Sequence, residues 1–123
     1  MVRGKINERT GVADPIFSAI DTVSYLDQLG ARYGNDTVGF ARLFLVPCMN
    51  HCAGGPATDT FDALGALDAW VEKGTAPESI IATARKTPDV AWPGRTRPLC
   101  AHPKVATYKG SGDIEIAASF DCR

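Results

Sequence analysis

Long apolar runs are missing from this sequence. Nothing approaches the roughly 20 consecutive apolar residues that a membrane-spanning helix requires, so no membrane is expected as a partner. Blocks of like charge are missing too. Thirteen Lys and Arg face fourteen Asp and Glu, a formal charge of −1, which leaves no basic footprint for a nucleic acid. The opening Met-Val-Arg-Gly-Lys-Ile-Asn-Glu-Arg lacks the apolar stretch of a secretory signal, so the chain reads as soluble and without an address. There are no internal repeats, no low-complexity stretch and no Gly-x-Ser-x-Gly.

What is present suits a single small domain over residues 1–123. A hydrophobic fraction of 45% and a charged fraction of 22% are ordinary for a globular protein. A chain of this length buries roughly two-thirds of its unfolded surface, enough for one modest core. Two features strain that picture. Four cysteines hint at an oxidising compartment, and 20 of the 123 residues are Gly or Pro. Paired-looking cysteines without an export signal suggest a piece of something longer.

Val2, Gly4 and Ile6 could form a short strand. A helix is expected from Thr22 to Tyr33, capped by Asp21, with Val23, Leu26, Leu29 and Tyr33 on one face and Gly34 as the stop. Phe40–Val46 reads as a largely buried strand ended by Pro47, and 47–56 as a loop. A second helix runs from Phe61 to Lys73, capped by Asp59 or Thr60, with Leu64, Leu67, Trp70 and Val71 as its apolar stripe and Gly74 at its end. Ser79–Ala84 is a plausible strand, residues 86–103 a Pro-rich connection, and the alternation of Ile114, Ile116, Ala118 and Phe120 predicts a half-exposed strand. Strands alternating with helices suggest α/β architecture, with too few strands for a complete doubly wound sheet.

His51 is the most informative residue. It follows a buried strand directly, held by a rigid element yet open to a pocket, as a general base must be; a packing or surface histidine is the plain alternative. Asp14 sits in the tight turn Gly11-Val-Ala-Asp-Pro15, where Pro15 restricts it to extended conformations. Such a turn can hold a carboxylate against the Nδ1–H of a histidine, or can simply make an Asx-turn. No nucleophile matches them. Ser18 and Ser24 lie in or beside a helix, and Ser111 in a polar Gly-Ser-Gly turn. Cys48, His51 and Cys52 could be metal ligands in one loop, but a structural zinc needs a second close pair that Cys100 and Cys122 do not supply. Cys100 and Cys122 instead look like a disulfide tying down the final strand, worth roughly 3 kcal/mol.

Phe40-Ala-Arg-Leu-Phe-Leu-Val-Pro-Cys-Met-Asn-His-Cys-Ala-Gly-Gly-Pro56, followed by Phe61-Asp62, Trp70-Val-Glu-Lys-Gly74, Ala76-Pro77 and Arg95-Thr-Arg-Pro-Leu-Cys100, resembles the C-terminal end of the tannase and feruloyl esterase family. Ala13–Thr22 looks like that family's catalytic-acid turn, so the likeness covers about residues 11–123. The resemblance implies the C-terminal portion of an α/β-hydrolase fold, with few strands, two main helices and an incomplete sheet. It implies secreted or periplasmic serine esterases of aromatic acids such as gallate and ferulate, or of terephthalate half-esters, working without a cofactor. It makes Asp14 the triad acid, His51 the triad base and Cys52 half of an active-site disulfide, and it matches Cys100–Cys122 to a C-terminal disulfide of relatives. There are departures. The serine, its neighbouring cysteine, the oxyanion hole and the lid lie upstream in the family, and residues 1–9 stand where a strand normally leads to the acid. Cys48 occupies a position that is usually glycine. Cys52 is left to pair with Cys48 or with another chain.

Three readings follow. The chain is a truncated esterase fragment, inactive alone; or half of a two-chain esterase completed by a serine-bearing N-terminal partner; or a non-catalytic binding module. Truncation would also leave strand 40–46 with an unpaired edge. That predicts a homodimer through the edge, or a rearranged sheet in which residues 2–6 or the C-terminal strand covers it.

Overall fold

The computed structural model describes residues 4–88 and 90–123. Strand β1 (Ile6–Gly11) and strand β2 (Ala41–Val46) pair in parallel, in register from Ile6 opposite Ala41 to Gly11 opposite Val46. Parallel neighbours need a crossover, and helix α1 (Ala19–Tyr33) with the 3₁₀ turn Gly34–Gly39 supplies it. Of the expected strand through Val2, Gly4 and Ile6, Val2 lies outside the described residues and Ile6 is where the strand begins. A strand leading to Asp14 is therefore present, which corrects the expectation that residues 1–9 replace it. β1 has no apolar alternation to announce it; the buried strand beside it, with Leu43, Phe44 and Val46 at 1% exposure or less, imposes the pairing.

β2 is covered on both sides. Beyond β1 on one side, Ala101 bridges Phe44 on the other and the His102 N–H donates to the Leu43 carbonyl at 2.8 Å. The expected unpaired edge on 40–46 does not exist. Among the described residues the open edge belongs to β1, in a two-stranded sheet.

α1 starts three residues before the expected Thr22. Ser18, not Asp21, caps it, its hydroxyl accepting the Ile20 N–H at 3.2 Å, while Asp21 sits in the first turn, where a carboxylate favours the helix dipole. Helix α2 (Ala63–Lys73) is capped by Asp62, which accepts the Gly65 N–H at 2.7 Å, rather than by Asp59 or Thr60. Its expected stripe narrows to one buried side chain, Trp70, with Leu64 and Val71 turned to solvent.

β3 (Ser79–Thr83) pairs antiparallel with β4 (Thr96–Cys100), which lies inside the stretch expected to be a Pro-rich connection. Pro98 is tolerated because a strand in a two-stranded sheet has one side that donates to no neighbour. The tail also departs from its alternation. Ile114 and Ile116 are exposed in turns, and only Phe120–Cys122 forms a strand, β6, antiparallel to β5 (Ala106–Tyr108). The cause is local: Gly110 and Gly112 take positive φ values of 87° and 90°, and the Tyr108 hydroxyl donates to the Gly112 carbonyl. The Cys100–Cys122 disulfide is formed and ties β6 to β4, with a Cα separation of 5.5 Å. The core gathers Phe44, Val46, Met49, Ala57, Ile80, Ala82, Leu99 and Ala101 between β2 and the β3–β4 pair. Among the described residues no helix is long and apolar enough to cross a membrane.

Candidate active site

Because β1 and β2 end together in register, the turn after Gly11 and the loop after Val46 leave the same end of the sheet side by side. Two backbone bonds stitch them: Val12 N–H to the Val46 carbonyl and Ala13 N–H to the Met49 carbonyl, both 3.1 Å. That brings together two residues 37 apart in sequence. His51 Nδ1 lies 3.0 Å from Asp14 Oδ2.

Asp14 realises both of the roles open to it, one on each oxygen. Oδ1 accepts the backbone N–H groups of Ile16 at 2.7 Å and Phe17 at 3.1 Å, closing the turn, while Oδ2 is left for the histidine. The carboxylate is 6% exposed and the imidazole 39%, so the aspartate is sheltered and the histidine open. Partial withdrawal from water pushes the Asp14 carboxyl up. The hydrogen bond from His51, the two backbone N–H groups and the His51 charge together outweigh it, and the net direction is below the ordinary 3.8. Glu115 is likewise held below its ordinary 4.5 by two hydrogen bonds from Arg95, at 2.5 and 2.6 Å, against a smaller upward push from desolvation. Carboxyls lowered in the folded state contribute stability that is complete above their ordinary values and lost as pH falls through their native ones. Unfolding followed against pH should therefore show stability level above about 4.5 and declining below 3.8, with Asp14→Asn flattening that decline.

With Nδ1 engaged by Asp14, Nε2 is the ring nitrogen available for proton transfer. His51 opens onto a cavity of about 670 Å³, lined also by Thr10, Ile16, Phe17, Tyr25 and Cys52. The Phe17 ring stands 5.3 Å from the imidazole, tilted by 44°.

The histidine loop is anchored in several places. Met49 is buried, the Asn50 N–H donates to the Gly54 carbonyl at 3.1 Å, and the Gly54 N–H donates to Asp59 at 2.7 Å. Asp59, its side chain 1% exposed, is held in turn by Arg85. The sequence suggested Asp59 only as a helix cap; its role in holding the loop depends on a chain reversal that no local pattern reports. Cys48 and Cys52 have φ values of 59° and 63°. That left-handed backbone is one glycine adopts at no steric cost and a residue with a Cβ rarely takes. Both thiols are free and exposed. They line different cavities, Cys52 that of His51 and Cys48 another, and with His51 they form no metal-holding group among the described residues. Ser18 is occupied as a helix cap.

Gly11 is a positioning residue the sequence did not single out. A Cβ there would press on the Met49 carbonyl oxygen and stand 2.6 Å from that of Asn50. Gly11→Ala is expected to cost about 1–3 kcal/mol and to push the histidine loop away from the acid turn. A lowered denaturant midpoint with loss of the downfield Nδ1–H proton resonance of His51 would report both effects.

A family model, "Tannase and feruloyl esterase", matches residues 2–123. Mono(2-hydroxyethyl) terephthalate hydrolase of Piscinibacter sakaiensis is 52% identical over 119 residues, covering 97% of this chain and 20% of that protein. A probable feruloyl esterase of Arthroderma benhamiae is 37% identical over 91% of this chain and 21% of its own length. Feruloyl esterase B from Aspergillus oryzae superposes with a TM-score of 0.81 at 25% identity, over 98% of this chain and 27% of that one. The chain thus spans about a fifth to a quarter of the proteins it matches.

Proposed function

Since this chain belongs to the tannase and feruloyl esterase family, we propose that it is the acid- and base-bearing part of a carboxylic ester hydrolase acting on esters of aromatic acids. Asp14 is the triad acid and His51 the base. The nucleophilic serine comes from a polypeptide segment outside these 123 residues, and without it the chain is inactive. The carrying observation is the 3.0 Å contact between His51 Nδ1 and Asp14 Oδ2 at the shared end of two parallel strands.

In the complete site His51 Nε2 removes the proton of the serine hydroxyl as its oxygen attacks the ester carbonyl. Nδ1–H donates to Asp14, which fixes the tautomer and stabilises the imidazolium. The same proton passes to the departing alcohol, and a second cycle with water releases the acid. Phe17, beside His51 in the cavity, supports an aromatic acyl group. The serine-bearing segment also brings the oxyanion donors, a strand for the open edge of β1, and a cysteine for Cys52. A second copy is the competing occupant of that edge, and sedimentation of the chain alone separates the two: a monomer leaves the edge to the serine-bearing segment.

The chain by itself should hydrolyse p-nitrophenyl acetate and methyl ferulate no faster than its His51→Ala variant. Losing one oxyanion donor already costs ~10²–10³ in rate, and here the nucleophile is missing as well. Activity in the chain that vanishes with His51→Ala would overturn the proposal and expose a nucleophile in the His51 cavity, Ser18 or Cys52.

A further inference from the structure

The histidine loop borders a second cavity, of about 580 Å³, which shares no lining residue with the first. Its volume is that of a small-molecule site. Val12, Leu45, Val90, Leu99 and Phe120 give it apolar walls, and the exposed Cys48 lines it. Arg95 and Arg97 line the same space, each with its guanidinium over an aromatic ring: Arg95 at 4.0 Å from the Trp92 centroid and Arg97 at 4.3 Å from that of Phe120.

The two arginines differ in what they hold. Arg95 is occupied by the bidentate pair with Glu115. Arg97 has no carboxylate within ion-pair distance among the described residues, and its one protein acceptor is the Thr96 carbonyl at 2.7 Å. A guanidinium carries five N–H donors in a planar fork, so most of this one is unspent. With its face over Phe120, the fork has its edge left for a partner, and the group that matches it is a carboxylate bound by two parallel hydrogen bonds. Lys104, His102 and Thr58 also line the cavity and no described carboxylate does, Glu115 and Asp113 acting on Arg97 from outside it.

We propose that this cavity binds a small apolar carboxylate, with Arg97 holding the carboxylate and the apolar walls holding the hydrocarbon. The class is that of benzoate: one negative charge on a compact ring. The inference does not rest on the esterase reading, since it uses neither Asp14 nor His51.

The two free cysteines serve as built-in reporters, because Cys48 lines this cavity and Cys52 lines the other. Initial rates of N-ethylmaleimide addition at each thiol can be read by mass spectrometry of the intact chain. With a Kd near 1 mM, benzoate at 3 mM would slow Cys48 about fourfold, by the factor 1 + [L]/Kd. Cys52 should be unaffected. Benzamide, isosteric but uncharged, should protect Cys48 far less, a comparison that needs no variant and so no assumption about folding. Arg97→Gln should remove the protection, and His51→Ala should leave it intact. The proposal fails if benzoate slows Cys52 rather than Cys48, if benzamide protects Cys48 equally, if Arg97→Gln keeps the protection, or if Cys48 is not slowed at all.

Discussion

Asp14→Asn is expected to lower kcat about 10⁴-fold, and His51→Ala about 10⁴–10⁶-fold, in an enzyme that combines this chain with a serine-bearing remainder. A chimera supplies that enzyme: these residues replace the matched 119 of the Piscinibacter sakaiensis hydrolase, to which they are 52% identical. The asparagine case is the sharper one, because the shape of the site survives. The amide oxygen can still accept the Ile16 and Phe17 N–H groups, which Asp14 Oδ1 takes at 2.7 and 3.1 Å. The amide NH₂ then faces His51 at the position of Oδ2. An amide NH₂ donates, so Nδ1 must accept, and the ring proton moves to Nε2. A histidine protonated at Nε2 cannot take a proton from the serine. The loss should fall on kcat and leave KM nearly unchanged, since both Asp14 oxygens are engaged by protein groups. An Asp14→Asn chimera retaining more than about a tenth of the parent kcat would remove Asp14 from the triad.

Trp70→Ala is expected to be the most damaging single truncation for folding, at about 3–5 kcal/mol. Against a total stability of about 5–15 kcal/mol for a small domain, that is a large share. The reason lies in how little else holds α2. Trp70 is its one buried residue, 1% exposed, while Leu64 is 77% exposed and Val71 57%. The ring is also bracketed by cations, Lys5 Nζ at 5.0 Å from its centroid and Arg42 Cζ at 5.4 Å, which lose their aromatic partner with it. Urea titration should show a sharply lower midpoint, with Val71→Ala within about 0.5 kcal/mol of the parent as the contrast. A Trp70→Ala cost below about 1 kcal/mol would mean that α2 is anchored by something other than this ring.

Local chemistry was enough for one group of features. Gly34 and Gly74 end their helices because the backbone there leaves the range that residues with a Cβ favour, and a glycine in the sequence announces it. Phe40–Val46 is apolar apart from Arg42, so a buried strand was visible without a partner, and Ala41–Val46 is that strand. The Cys100–Cys122 disulfide and the family were likewise legible, the latter from one ordered run of motifs and now from a match over residues 2–123.

The remainder is non-local. β1 is a strand because β2 lies beside it, and Ile-Asn-Glu-Arg-Thr-Gly carries no period of its own. β4 keeps a proline because the sheet stops at two strands, a fact of assembly rather than of composition. The Ile114–Phe120 alternation satisfies a strand pattern, yet the Gly110–Gly112 turn allows pairing only from Phe120 to Cys122. The sequence by itself determined which residues could do acid–base chemistry: one aspartate before a proline, one histidine after a buried strand. Only the tertiary structure decided that the two meet, because a distance of 3.0 Å across 37 residues comes from strand register and from two backbone bonds between loops. The same packing turns two cysteines four residues apart into different cavities, a separation that depends on left-handed backbone at both and that no spacing rule contains.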